Sequence, residues 1–319
     1  MKIIPSKVQL ITEKIGACAN WKPPVIHKDI PHGDMPGDKV VIGECHISKA
    51  NVIFPVLLEN LKNIKSSKAI LAVCGCSGVG KSETASLLSY YFNEAGIGSY
   101  TMSGDNYPHR IPKYNDAERK RIFRCGAIRE MVKEDIFSQE HFEIIHNLQL
   151  EGMDARSANI EKYPWYESYL SGGRAALKTY LGTEHETNFA EVNTILDAFK
   201  DGKDAIWLKR MGRGDTELWY EKVDFSDIQI LVMEWTHGNN DLIHGVDIPI
   251  LLNSTPQETL LHRQARNRDG ATDSPFTMLI LEIEQELLAS QAHKAKIIVS
   301  KSGKILSFAQ YKSSMEQGR

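Results

Sequence analysis

The chain has 319 residues, 42% of them hydrophobic and 25% charged, enough apolar material to bury a full core in one large domain or two modest ones. A net charge of -3 argues against a broad basic footprint for nucleic acid or an anionic membrane. No run of about 18 apolar residues predicts a membrane span, the opening MKIIPSKVQLITEKIG lacks a signal-peptide core, and five cysteines read as reduced thiols, so a soluble cytoplasmic protein is expected.

Residues 1–66 differ in character from the rest of the chain and are read as an N-terminal extension packed on the main domain, 67–319. A polar loop with Pro, His and Gly (22–38) leads into an apolar run, 39–47, that predicts a strand. Val56, Leu57, Leu58, Leu61 and Ile64 then recur at helical spacing, with Pro55 suited to a first turn. No function is legible in this extension.

The run 69–74, AILAVC, is of the kind a buried parallel strand shows. The Gly-rich segment 75–82 comes next, then helical spacing over 83–93. Residues 99–102 predict a second strand, and a long helical and irregular stretch runs to about Lys203, with 126–204 read as a helical insertion. Segments 205–208 and 217–223 suggest a hairpin across Met211-Gly-Arg-Gly-Asp215. Segments 229–233 and 248–252 read as buried strands, 256–268 and 275–289 as helices, and 296–300 and 304–306 as a pair about a Ser302-Gly303 turn. This alternation predicts an α/β P-loop NTPase fold with a mainly parallel sheet flanked by helices.

The segment Gly75, Cys76, Ser77, Gly78, Val79, Gly80, Lys81, Ser82 matches G-x-x-x-x-G-K-[ST] in full. Its glycines let successive N–H groups turn toward phosphate oxygens, and the helix opening at Glu83 presents its positive end to them. Lys81 would bridge the β- and γ-phosphates, and Ser82 would give its hydroxyl to Mg²⁺. The motif predicts nucleotide binding and is silent about the γ-phosphate's fate.

Three later features address that fate. Asp105, in SGDNYPHR (103–110), directly follows the second strand, where a carboxylate can take a proton from an attacking hydroxyl or hold a magnesium water. Glu234 ends an apolar strand at a Walker-B-like position and would reach Mg²⁺ through water. Arg263 and Arg266 share a helix face and could close over transferring phosphate as a lid, Arg263 beside the nucleotide. His109, Arg110 and Arg210 form a basic cluster suited to an acceptor's anionic group, and His237, after the Glu234 strand, is a further acceptor candidate.

These segments resemble the phosphoribulokinase/uridine kinase family. The cradle, SGDNYPHR, AIWLKR (205–210), LVMEWTHG (231–238) and HRQARNRDG (262–270) stand in that family's order, over roughly 67–303. The resemblance implies an ATP-dependent, Mg²⁺-using small-molecule kinase with Asp105 as general base, His109 and Arg110 on the acceptor and Arg266 in the lid. The acceptor is then a small hydroxyl compound: a sugar or sugar phosphate first, a nucleoside second, a carboxylated metabolite third. The insertion would sit on the acceptor side; a homodimer is left open.

This chain departs from the pattern in having Trp235 after Glu234, where relatives carry Gly. A different class, a nucleotide-driven motor or switch, is suggested by Leu170-Ser-Gly-Gly-Arg174, which looks like an ABC ATPase signature. No strand ending Asp-Glu comes closely after it, and the two glycines are read as a turn opening a helix, 174–180. Among single residues, His141, His146, His244 and His262 read as surface or satisfied histidines. Tyr163, Trp165, Tyr166 and Tyr169 read as packing.

Overall fold

A computed structural model of the protein describes residues 11–16, 18, 20–27, 30, 32–255, 257–261, 263 and 274–317. Its strands are β1 (Ala69–Gly75), β2 (Ser99–Ser103), β3 (Ala205–Met211), β4 (Leu218–Asp224), β5 (Ile230–Glu234), β6 (Ile248–Leu252), β7 (Ile297–Val299) and β8 (Ile305–Leu306). Six of them make one sheet in the order β2-β5-β1-β6-β7-β8, parallel except for β8 at its edge. β3 and β4 form the separate antiparallel hairpin that the sequence predicts.

The helices are α1 (Ile11–Gly16), α2 (Glu44–Leu61), α3 (Lys81–Glu94), α4 (Pro112–Lys133), α5 (Gln139–Leu150), α6 (Asn159–Lys162), α7 (Tyr166–Lys178), α8 (Phe189–Lys200), α9 (Pro275–Gln291) and α10 (Phe308–Gln317). Every residue of β1 is buried. Its Ala69, Leu71 and Val73 pack with α2 and α3, whereas Ile70 and Ala72 pack with α8 and the hairpin. A strand covered on both faces has no polar side to show, hence the unbroken apolar run in the sequence.

The extension does more than lean on this sheet. Ile53, Phe54, Leu57 and Leu61 of α2 are fully buried in the cluster that holds Tyr91 and Phe92 of α3. Phe54 meets Phe92 at 4.7 Å and Tyr91 edge-on at 5.4 Å between ring centroids. The strand expected over 39–47 is absent. Residues 38–43 are irregular, and α2 begins at Glu44 with Gly43 as its N-cap, whose N–H donates to His46 Nδ1 (3.1 Å). Pro55 accordingly lies inside the helix rather than in its first turn. The buried positions Ala50, Ile53, Phe54, Leu57 and Leu61 keep the 3.6-residue period, and packing on α3 outweighs the short strand-like run before them.

The boundary expected at 126 falls inside a helix, α4. Pro112 sits in the first turn of α4, and the helix passes through position 126 unbroken. The glycines of LSGGR are not a turn but lie mid-helix in α7, facing α4. A methyl on Gly172 would stand 2.4 Å from Glu130 Cβ, one on Gly173 2.4 Å from the Phe123 ring, and one on Gly126 2.3 Å from Ala176 Cβ. The two helices meet there almost backbone to backbone. The signature-like string is therefore a packing device, which removes the motor reading's one supporting motif.

Gly172→Val is expected to lower unfolding free energy by about 2 kcal/mol or more, because the helices must part or the side chain must strain. Urea midpoints of the variant and wild type check this. Equal midpoints would mean that the close approach is not needed.

Candidate active site

The cradle joins the buried end of β1 to α3. Gly78 and Gly80 hold left-handed φ of 78° and 91°, where a side chain would be strained, and Gly80 is the N-cap of α3. His46 of α2 packs on Gly80, where a methyl would come within 2.9 Å of its ring. Cys76 Sγ donates to the Ser254 carbonyl (3.2 Å), and Lys81 Nζ donates to the Cys76 carbonyl (3.2 Å).

Parallel pairing places β5 between β1 and β2, with Glu234 level with Val73 on one side and Ser103 on the other. Glu234 accepts from Ser82 Oγ at 3.1 Å and from Ser103 Oγ at 2.5 Å. Burial, reinforced by nearby Asp105, pushes its carboxyl up to about 8, with Ser103 and Lys81 pulling the other way. A hydroxyl and two carboxyl groups at a phosphate cradle are the hard oxygen donors that Mg²⁺ takes alongside nucleotide phosphates. The donor set of Ser82, Glu234 and Asp105 thus fits that ion. Among the described residues, no three His, Cys, Asp or Glu side chains form a metal cage by themselves.

Asp105 is exposed on a single 3₁₀ turn, Gly104–Asn106, that directly follows β2. Trp235 is buried beneath that turn, and a methyl on Gly104 would stand 2.1 Å from its ring. The unusual Trp after Glu234 is therefore the floor of the Asp105 turn. From Ser77, Lys81 and Ser82 a cavity of about 510 Å³ runs past Asp105 and Glu234. Its lining also includes Arg110, Asn115, Asp116 and Arg119, together with Phe276, Ile280 and Glu284 of α9.

The far wall is one hydrogen-bonded network. Arg110 donates to Tyr180 Oη (3.1 Å), Tyr180 Oη to Asn115 Oδ1 (2.8 Å), and Asn115 Nδ2 to Glu186 Oε1 (3.1 Å). Arg119 reaches Glu186 at 2.6 Å and Glu284 at 3.8 Å. Burial works to raise the Glu186 carboxyl, but Arg119 and the Gly182 N–H hold it below the usual range. Glu284 is left the more distant partner, and burial pushes it up to about 7 against the same guanidinium. Two carboxyl groups share one cation, and the farther one keeps its proton near neutrality.

Of the residues singled out in the sequence, Ser77, Gly78, Lys81, Ser82, Asp105, Glu234, Arg110 and Arg263 line the cavity. Arg263 packs its Cγ on Gly78 and donates to Thr259 Oγ1. Gly75, Cys76, Val79 and Gly80 shape the loop, and Glu83 is buried in the first turn of α3 behind it. Arg266 lies outside the described residues, as do Arg268 and His262.

Three expected acceptor contacts fall elsewhere. Arg210 is buried and held by Asp34 (2.8 Å), Tyr100 Oη (3.0 Å) and Glu221 (3.0 Å), so it has no face for an acceptor. His109 turns outward and pairs its ring with the Glu184 carbonyl (2.9 Å), fastening the loop that carries Glu186. His237 packs edge-on against Trp235 at 5.3 Å, and burial pulls its pKa down to about 4, so it is a neutral core histidine.

Met35 and Asp38 of the extension, Asn115, Asp116 and Arg119 of α4 and Glu284 of α9 line the cavity without having been singled out. The charged run Asp116 to Arg121 was the available signal for α4. Tyr163, Trp165, Tyr166 and Tyr169 belong to the core of the helical lobe, as expected.

No protein-family model matches the chain. It is 38% identical over 239 residues to the bifunctional alpha-galactosidase/sucrose kinase AgaSK of Mediterraneibacter gnavus, a match covering 75% of this chain and 21% of that protein. The chain thus spans about a fifth of this relative's length. The resemblance to small-molecule kinases agrees with this relative.

Among solved structures, a candidate fructose transport system kinase from Silicibacter sp. TM1040 aligns with a TM-score of 0.45 at 13% identity, over 76% of this chain and 94% of that one. D-glycerate 3-kinase from Cryptococcus neoformans var. grubii aligns with a TM-score of 0.43 at 10% identity, over 83% and 98%. At these scores the fold assignment rests on the strand order and cradle described above.

Glu284 generates a pH prediction. Its folded-state carboxyl titrates near 7, above the unfolded value, so the folded chain holds the extra proton between the two. The associated stability is present at low pH and is lost as pH rises toward and through about 7. Glu284→Gln removes that loss. The variant should gain roughly 2 kcal/mol relative to wild type between pH 5 and pH 8. Thermal melts across that range read it, and a constant difference would refute the shift.

Proposed function

We propose that the protein is an ATP-dependent kinase that transfers the γ-phosphate to a hydroxyl of a neutral sugar of about disaccharide size. The carrying observation is the continuous cavity that runs from the phosphate cradle past Asp105 to a mixed wall of Arg110, Asn115, Asp116 and Arg119. Carboxyl, amide and guanidinium groups at one wall suit neighbouring hydroxyls, which donate and accept at once. Arg119 is engaged by Glu186 and Glu284, which favours a neutral acceptor over a phosphorylated one. The relative's sucrose kinase name points the same way.

In this reading the cradle N–H groups and Lys81 bind the β- and γ-phosphates, and Arg263 lies beside them at Gly78. Ser82 and Glu234 would hold Mg²⁺, which would offset the negative charge of the phosphates. Asp105 takes the proton from the acceptor hydroxyl as that oxygen attacks in line. Arg110 and the α4 wall orient the sugar. A cytoplasmic setting, where ATP is abundant, suits this chemistry.

Asp105→Asn is expected to cut turnover by about 10²–10⁴-fold while ATP affinity stays near wild type. A rate within a few-fold of wild type would remove Asp105 from the role. ADP release measured with sucrose, other neutral sugars, sugar phosphates, nucleosides and glycerate identifies the acceptor. Turnover with a neutral sugar well above the rest supports the proposal, and preference for a phosphorylated or carboxylated acceptor overturns it. With the best acceptor, Arg110→Ala should raise its KM about tenfold and leave that for ATP unchanged.

A further inference from the structure

Asp34 belongs to the extension, 69 residues before Ser103, yet its carboxylate sits under the turn that carries the candidate base. Asp34 Oδ1 accepts from the Ser103 backbone N–H at 2.7 Å and from Asn106 Nδ2 at 3.1 Å, so it grips the turn on both sides of Asp105. Oδ2 accepts from Tyr100 Oη at 3.0 Å and from Arg210 at 2.8 Å. Asn106 Oδ1 in turn accepts from the Met211 N–H at 3.0 Å, tying the same turn to the hairpin. The side chains of Asp34 and Arg210 are only 7% and 5% exposed, so this is an interior clamp rather than a surface pair.

We infer that Asp34, locked by Arg210, is a positioning residue that fixes the Gly104–Asn106 turn and so aims Asp105 at the acceptor hydroxyl, which makes the extension a working part of the catalytic centre. Two further contacts of the same segment agree with this. Met35 and Asp38, on either side of the Pro36-Gly37 bend, line the cavity itself. His46 closes on Gly80 of the phosphate cradle. The extension therefore touches the base turn, the cavity wall and the phosphate loop, the three parts that must keep register during transfer. A shift of about 1 Å at a reacting group can cost on the order of 100-fold in rate, so a clamp on that turn bears directly on turnover.

This inference rests on the reading of Asp105 as general base, and its test separates the two. Turnover of the full chain is measured as ADP release with ATP, Mg²⁺ and the best acceptor of the panel, per ATP-binding site counted by equilibrium titration. Asp34→Asn keeps the shape and an acceptor oxygen but removes the charge that holds Arg210. It should lower kcat about 10–100-fold per site with ATP affinity unchanged. In an Asp105→Asn background the same change should cost less than about threefold more, since a misaimed base matters only where a base exists.

A wild-type kcat for Asp34→Asn, or a full additional loss in the Asp105→Asn background, overturns the clamp alone. Wild-type turnover of Asp105→Asn overturns both readings. Should Asp34→Asn fail to fold, Tyr100→Phe removes one hydroxyl from the clamp and keeps the ring on Phe225. It should lower kcat about threefold with the same dependence on Asp105, and an unchanged kcat then counts against the clamp.

Discussion

The site depends first on a matter of strand register. β5 lies between β1 and β2 with all three running parallel, so the cradle after Gly75, the acid at Glu234 and the turn after Ser103 emerge at one sheet edge. A slip of one residue in β5 would turn Glu234 to the other face and break its bonds to Ser82 and Ser103. Register is held by burial on both sides of β1 and β5, whose residues all lie in the core. The chemistry is thus set by a hydrophobic constraint that contains no catalytic group. That placement leaves a carboxyl group at Glu234 that burial and Asp105 both push toward protonation, which a bound divalent cation would reverse.

The extension completes this edge from outside the sheet. α2 supplies fully buried side chains to the same cluster as α3. The segment ahead of it reaches across to the end of β2, where Asp34 meets Ser103 and Asn106. A buried ion pair is poor evidence of stability in general, because desolvation offsets much of its attraction. Its value here is directional. The two oxygens of Asp34 accept from four donors, and these sit on three pieces of the site's frame: β2, the base turn, and the hairpin strand carrying Arg210.

Legibility in the sequence was a matter of locality. β1, the cradle, α3, β5, β6 and the hairpin were legible because each is specified by its own short run: an unbroken apolar strand, a glycine-rich turn, a 3.6-residue period. Lys81, Ser82, Asp105 and Glu234 could be singled out because they lie next to such runs, and all four line one cavity. Arg210, His109 and His237 were misread because nearness along the chain to a motif says nothing about which way a side chain turns. Arg210 instead found Asp34, 176 residues away. Asp34 itself carried no signal, being one of three aspartates in a loop rich in Pro, His and Gly. The same blindness applied to residues 170–174, where two glycines in a string suggested a turn, and only the presence of α4 against them shows why they are helical.

That helix contact reaches the chemistry as well. α4 offers Asn115, Asp116 and Arg119 near its start to the cavity, while Gly126 meets α7 farther along, about 10–16 Å away at 1.5 Å per residue. The glycine contact fixes how close α4 lies to α7, and Tyr180, just past α7, is bonded to both Asn115 and Arg110. Three glycines without side chains thereby fix the spacing of a polar wall they never touch. The helical lobe has its own core, to which α9 adds Phe276, Ile280 and Ile283, while Leu288 of the same helix joins the core of the sheet. On the proposed reading, the side chains that would meet the acceptor come from α4 and α9 rather than from the motifs that mark the cradle.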